Sequence, residues 1–371
     1  MIILVLSMIF SKKNILFYFK NKGLIFVYLL FLWSIIAIII LNNNATINYI
    51  DYFGFFKNIL RFLFVIYLFI NSRILFRSGK RIKLIFSTWI RVVKFVCILG
   101  IIEFFLQFFG IYYSYYFDGI TTTTGRTLEK FFRISSVFNE PSYLGIYLNF
   151  SLVVLYELKK RLNFLSIKQF SNLIYYVLLT LLLSRSLSGF LLFFIVLVLY
   201  KNYIFSARLV RYKLVSFMII GILGIGAFFI NYQRLNDVAT QNDGSTNHRF
   251  LGSYELFNAI YEDFALTGTG LGQQKNFLNS SHLTFQNHYY MQDLNTGSGI
   301  NNLFVLFFFQ LGLIGLFLFI LVLYYIFINN KKLFLFIIIS CFGWAYMFNP
   351  LFWFSISILN VIINGKQKNI I

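Results

Sequence analysis

Charged residues are scarce in this chain of 371 residues. They make up 12% of the sequence, and 59% of the residues are hydrophobic. A soluble domain carries about 25% charged residues. The mean hydropathy of +0.76 agrees with this imbalance. No soluble fold can hide so much apolar surface, so the composition excludes a soluble protein and predicts an all-α transmembrane bundle.

Cysteine and histidine are also few. The two cysteines, Cys97 and Cys341, both lie in apolar runs, which favours helix packing over a disulfide or a metal site. The three histidines, His248, His282 and His288, do not have the spacing of a metal site. We therefore expect no structural zinc and no cofactor.

Acidic residues number only 12, against 32 Lys and Arg, which leaves a net charge of +20. Such a charge can indicate nucleic-acid binding. Here the cations lie in short loops between apolar runs, which is how membrane proteins set their orientation. We expect the lipid bilayer as a partner and no nucleic acid.

About ten apolar segments are candidates for membrane spans, since a helix needs roughly 20 apolar residues to cross. They are residues 24–41, 52–70, 92–110, 141–156, 172–183, 187–200, 214–230, 302–327, 333–348 and 351–363. The two segments around 184–189 are short. They are either two full spans or a broken helix pair that dips into the membrane.

Most of the cations fall on one face of this ten-span model, and most of the acids fall on the other. The basic face is cytoplasmic by the positive-inside rule. Both termini are then cytoplasmic in a single integral membrane domain, 1–371. Segments 111–140 and 231–301 become outer loops, and the larger one joins spans 7 and 8. A loop this long is usually functional.

The first motif runs from Arg133 to Gly145 and contains Pro141, one of only two prolines. Proline is favoured in the first turn of a helix, with Asn139 or Glu140 as its cap. This places Arg133 and Glu140 at the outer mouth of a span, near a helix N-terminus that attracts anions. A helix start with an ordinary surface ion pair explains the residues equally well.

The second motif is Ser184-Arg-Ser186, which has long apolar runs on both sides. An ionisable group at such depth is a functional candidate, and the planar donors of arginine match phosphate. The alternative is an outer hairpin tip that holds Arg185 among the lipid headgroups.

The predicted loop 231–301 contains His248, Arg249, Glu255 and a glycine-rich run, Thr267-Gly-Thr-Gly-Leu-Gly272. Histidine is the usual general base near neutral pH. A glycine-rich run can direct backbone amides toward an anion. No strand precedes this run, however, and nucleotides are scarce outside the cell. We interpret it as a tight turn that folds the loop back onto the bundle.

A fourth motif lies where this loop returns to the membrane. Asn301 and Asn302 stand at the re-entry point, either as site residues or as helix caps. Gly312 and Gly315 follow one turn apart, a spacing that permits close helix packing.

Three further charged residues lie in spans. Lys57 and Arg61 share a helix face and either extend a phosphate site or reach out to the membrane surface. Glu103 lies among phenylalanines. It either pairs with one of these cations, handles protons, or stays protonated without a role.

The order of these motifs resembles the bacterial O-antigen polymerase (Wzy-type) and O-antigen ligase superfamily. The resemblance rests on Arg133 with 138–142, on Ser184-Arg-Ser186, on Arg249 with 268–272, and on Asn301-Asn302 followed by Gly-Leu-Ile-Gly315. In the ligases the last motif begins with a histidine, whereas this chain has Asn301. Asparagine is not a base at neutral pH, so the departure favours a polymerase; the alternative is that His288, thirteen residues earlier, takes the place of this histidine.

The resemblance implies sugar repeat units carried on undecaprenyl pyrophosphate as substrate, in the bacterial cytoplasmic membrane. Arg133, Arg185 and Arg249 would bind the pyrophosphate. Glu140, Glu255 and His248 are the candidate bases. A chain-length regulator and a flippase are candidate partners, and the activated donor makes a nucleotide or metal unnecessary. The alternatives are a ligase, which would transfer the glycan to an acceptor lipid, and a transporter of the same lipid-linked sugar.

Overall fold

The computed structural model describes helices and connecting segments over much of the chain. Its described residues are 22–42, 50–75, 79–109, 134–138, 141–162, 167–204, 232, 254, 257–258, 260, 264–273, 277, 302–328, 330–343, 347 and 350–364. In these residues the regular secondary structure is helical, which confirms the all-α prediction.

Nine α-helices form these described parts of the chain. They are α1 (Lys22–Asn42), α2 (Tyr52–Leu75), α3 (Gly79–Phe108), α4 (Pro141–Leu162), α5 (Ile167–Ser184), α6 (Leu187–Ile204), α7 (Leu303–Phe327), α8 (Lys331–Cys341) and α9 (Pro350–Asn364). Within α1, α2 and α7, the segments Gly23–Asn42, Tyr52–Ser72 and Leu303–Phe327 are long and apolar enough to cross a membrane. The count of ten spans stays a prediction, and the predicted span 214–230 lies outside the described residues.

Helix α8 is shorter than the predicted span 333–348. It ends at Cys341, where the amide of Phe342 donates to the carbonyl of Ile339 and that of Gly343 donates to Ser340. Such i−3 bonds tighten the last turn of a helix and use carbonyls that would otherwise lack donors. The helix therefore ends at Cys341, before the end of the predicted span.

The chain divides into two compact units, Met1–Arg77 with Gln241–Ile371, and Ser78–Thr240. In the first unit, α1 runs antiparallel to α7, because Phe26 stacks on Tyr325 at 4.9 Å while Trp33 donates to the carbonyl of Leu311 at 2.8 Å. Phe307 and Phe319 stack at 4.0 Å in the core of this unit. Cys341 is buried as a free thiol, which agrees with its predicted packing role.

In the second unit, α4 and α6 run parallel to each other. Gly145 faces Gly189 near the start of both helices, and Tyr156 contacts Tyr200 eleven residues later in each, with ring centroids 4.3 Å apart. Helix α3 lies beside α5 at Gly100. Cys97, one turn before Gly100, is also a buried free thiol.

Candidate functional site

The structure describes one of the six site residues that the sequence predicts, which is Arg185. The other predicted site residues lie outside the described parts of the chain: Arg133, Glu140, His248, Arg249 and Glu255. Besides Arg185, the structure describes segments next to the other motifs, residues 134–138 in the second unit and residues 264–273 and 302–328 in the first.

Arg185 occupies a two-residue turn between α5 and α6. Its backbone is left-handed, with φ of +48°. The hydroxyl of Ser184 donates to the carbonyl of Leu181 and accepts from the amide of Ser186, and the hydroxyl of Ser186 accepts from the amide of Gly189. These serines cap the end of one helix and the start of the next. The serines on both sides thus fix the backbone of the half-buried arginine.

The contact between α4 and α6 determines where the Arg185 turn lies along the axis of α4. A Cβ on Gly145 would lie 2.7 Å from the Cα of Gly189, so the two helices touch backbone to backbone. The Asn149 amide joins them by donating to the carbonyls of Gly145 and Gly189 at 2.8 and 2.9 Å. Arg185 precedes Gly189 by one turn, so it lies near the level at which α4 begins with Pro141.

Asn149 belongs to none of the motifs identified in the sequence. It is fully buried in α4, and an amide there is costly unless it finds partners. Its spacing of four residues from Gly145 in an apolar helix is a signal that could have identified it.

Replacing Gly145 with alanine is expected to separate α4 from α6 and to destabilise the protein by roughly 1–3 kcal/mol, the usual cost of overpacking. The atom that the new Cβ meets is backbone and cannot rotate away. Thermal unfolding of the detergent-solubilised protein measures the effect. Gly100→Ala is the control, because its Cβ would meet the ends of the Ile134 and Thr180 side chains. Equal midpoints for the two variants would contradict the proposed crossing.

Glu103 holds the strap, which we define as residues 134–138. Its carboxylate accepts from the backbone amide of Ser135 at 3.0 and 3.2 Å and from that of Ser136 at 2.6 Å. The amide of Gln107 donates to the same carboxylate at 3.4 Å. This geometry makes Glu103 a buried acceptor for a backbone segment, a role that none of the three sequence interpretations of this residue included.

Two further contacts fix the strap in the second unit. The hydroxyl of Ser136 donates to the carbonyl of Val96 at 2.8 Å. The ring of Phe138 contacts that of Tyr147 in α4, with centroids 5.2 Å apart. The strap is thereby anchored to α3 at one end and to α4 at the other, and it lies between Arg133 and Glu140 in the sequence.

In the first unit, the glycine-rich segment, which we define as residues 267–272, packs against α7. Gly268, Gly270 and Gly272 all have positive φ, so this segment turns as the sequence predicts. The amide of Thr269 donates to the carbonyl of Phe309 at 2.8 Å, and that of Gly270 donates to Gln310 at 3.1 Å. These two amides are bonded to a helix and do not form a phosphate-binding cradle.

Helix α7 is broken where this segment meets it. Gly312 has φ of +66° and ψ of −167°, and the amide of Leu313 donates to the carbonyl of Ala265 at 2.7 Å. A Cβ on Gly312 would overlap the carbonyl of Leu266. The prediction of close helix packing at Gly312 is wrong, because a backbone segment occupies that space and not a second helix.

The remaining sequence candidates have structural roles or exposed positions. Asn302 caps α7 by accepting from the amides of Phe304 and Val305, and Asn301 lies outside the described residues. Lys57 and Arg61 are exposed on α2, where Arg61 donates to the side chain of Asn58 at 3.1 Å. Among the described residues no group of three His, Cys, Asp or Glu side chains forms a metal site. The three histidines lie outside them.

Comparison with known families gives one match. Residues 173–320 match the family model of the O-antigen ligases. This confirms the resemblance to the O-antigen polymerase and ligase superfamily. Members of this family are membrane enzymes of the glycosyltransferase type that act on lipid-linked glycans. No curated protein and no solved structure matches the chain.

The segment that matches the O-antigen ligase family runs from within α5 to within α7. It contains the Arg185 turn, the glycine-rich segment and the break at Gly312. The strap and Glu103 precede it in the sequence. The match therefore covers Arg185 and Arg249 among the predicted arginines but leaves Arg133 outside.

Proposed function

We propose that the protein is a polysaccharide repeat-unit polymerase. It transfers a growing glycan from undecaprenyl pyrophosphate to the next lipid-linked repeat unit at the outer face of the cytoplasmic membrane. The product is an O-antigen, a capsule or another exopolysaccharide. The observation that supports this proposal is the match to the O-antigen ligase family. The matched segment contains the turn that fixes the backbone of Arg185.

The proposed reaction breaks the bond between the anomeric carbon and the pyrophosphate oxygen. A hydroxyl of the acceptor sugar attacks that carbon, and its proton passes to a base, for which Glu140, Glu255 and His248 are the candidates. The bonding electrons leave with the lipid pyrophosphate. Cationic groups in a site that excludes water stabilise such a developing charge.

The three arginines of the motifs suit this leaving group. A guanidinium presents paired donors to phosphate oxygens and stays charged at any physiological pH. Arg185 is half-buried at a junction of two apolar helices, a position that suits a substrate whose lipid tail lies in the bilayer. Arg133 and Arg249 are the other two arginines that the sequence motifs assign to the pyrophosphate.

A ligase is the second candidate, since the matched family is described by that activity. Asn301 stands where the ligases carry a histidine, and an amide cannot take a proton from the acceptor. This position favours the polymerase, in which the base is one of the three residues named above.

Reconstitution in proteoliposomes with a lipid-linked repeat unit tests the function. A polymerase converts the substrate into a ladder of longer lipid-linked glycans. Transfer to an added acceptor lipid without chain growth would establish a ligase. Movement of the substrate across the bilayer without formation of a glycosidic bond would establish a transporter.

A gene deletion provides the matching test in cells. Loss of a polymerase leaves single repeat units on the surface, whereas loss of a ligase leaves long chains on the carrier. Labelling of cysteines introduced into 231–301 from outside the cell tests the proposed topology. Labelling that requires permeabilised cells would overturn the outer-face proposal.

A further inference from the structure

We propose that Glu103 is a positioning residue for pyrophosphate binding, which it serves by fixing the strap that continues into Arg133. This inference rests on the proposed function. Glu103 itself touches no substrate in the scheme. Its role is to hold the backbone that is covalently joined to an arginine of the site.

The backbone of the strap curves around the Glu103 carboxylate. Consecutive amides of Ser135 and Ser136 both point at it, and Ser136 is left-handed with φ of +55°. Successive amides around a left-handed residue form an anion-binding nest. In this nest the anion is the carboxylate of Glu103 in α3, so the position of this helix determines the backbone conformation of the strap.

The left-handed serine supports this assignment. A residue with a Cβ disfavours that conformation, so the strap must be held in it by outside contacts. Here those contacts are the Glu103 carboxylate and the bond from the Ser136 hydroxyl to the carbonyl of Val96. Without the carboxylate, two buried amides would lose their acceptor and the backbone would be free to relax.

Packing alone does not account for a glutamate at this position. Only 7% of Glu103 is exposed, and carboxylates in apolar helices are costly and usually functional. An apolar residue of similar size would fill the same space, but it could not accept from both amides. The chain therefore places a carboxylate where the backbone beside Arg133 has to be fixed.

The test measures binding of undecaprenyl pyrophosphate to the purified protein, and it therefore does not depend on polymerase activity. Glu103→Gln keeps the size of the side chain but turns one acceptor into a donor that faces the strap amides. We expect its Kd to rise about ten-fold, as for the loss of a hydrogen bond to a charged group. Glu157→Gln, a buried glutamate of the same unit near the other end of α4, is the matched control and should bind like the wild type.

A double-mutant comparison separates positioning from a general structural role. If Glu103 acts through Arg133, then Glu103→Gln should weaken binding less than two-fold further in an Arg133→Ala background, because contributions of coupled residues are not additive. Fully additive losses, or an unchanged Kd for Glu103→Gln, would overturn the inference.

Ser136→Ala keeps the inference testable if Glu103→Gln fails to fold. It removes the bond to the Val96 carbonyl but leaves both amides in place, so we expect a smaller rise in Kd that is again absent with Arg133→Ala. Unchanged binding would count against the strap. If the wild type binds undecaprenyl pyrophosphate but transfers the glycan to an acceptor lipid, the polymerase proposal is refuted and the role of Glu103 is still supported. If the wild type does not bind undecaprenyl pyrophosphate, both proposals are overturned.

Discussion

Gly312→Ala is expected to prevent most of the protein from folding in the membrane. A methyl group at this position would overlap the carbonyl of Leu266, and the left-handed φ of +66° is unfavourable for alanine. With ψ of −167°, this backbone lies in a region that essentially only glycine adopts, at a cost of about 1–3 kcal/mol for other residues, and overpacking adds roughly 1–3 kcal/mol. The sum is a large part of the 5–15 kcal/mol by which proteins are typically stable, to order of magnitude.

The loss is not confined to one contact. Because α7 is broken at Gly312, the carbonyls of Phe309 and Gln310 accept hydrogen bonds from the glycine-rich segment. The carbonyl of Leu311 accepts from Trp33 of α1. Gly312 lies about 14 Å along the helix axis from Leu303, at a rise of 1.5 Å per residue. Backbone groups at such depth have no water to replace a lost partner.

Fluorescence-detected gel filtration of a tagged protein measures this effect. Gly312→Ala should give aggregate or little protein, whereas the Gly100→Ala control should elute as a single peak like the wild type. A monodisperse Gly312→Ala variant with a wild-type unfolding midpoint would show that α7 does not need the break.

Arg185→Ala is expected to reduce chain extension about 100-fold, the loss typical of removing one charge-stabilising donor from an active site. Alanine keeps the Cβ, so the backbone strain at φ of +48° is unchanged. The expected defect is therefore in pyrophosphate binding and charge stabilisation. It should appear as short products in proteoliposomes at an equal amount of folded protein.

Arg185→Lys should recover only part of this activity, because an ammonium cannot donate to two oxygens as a guanidinium does. Arg91→Ala is the control, since Arg91 is an exposed cation of α3 and should not affect product length. Full-length ladders from Arg185→Ala would remove Arg185 from the proposed pyrophosphate site.

Much of the helical fold could be predicted because hydropathy records which segments can be transferred to a bilayer. The predicted helix starts at Pro141 and Leu187 agree with the structure, since proline and the serine before Leu187 act locally. The glycine-rich turn was predicted for the same local reason. The partners of these segments could not be predicted, because each contact joins residues far apart in sequence.

The sequence by itself determined the membrane class, the helical architecture and the arginine motifs, because each depends on composition or on neighbouring residues. Only the tertiary structure decided that Glu103 accepts from the strap, 32 residues later in the chain, and that Thr269 donates to Phe309, 40 residues away. Both contacts involve backbone atoms, which every residue has, so side-chain identity does not reveal them. Which amide meets which acceptor is set by how the helices pack.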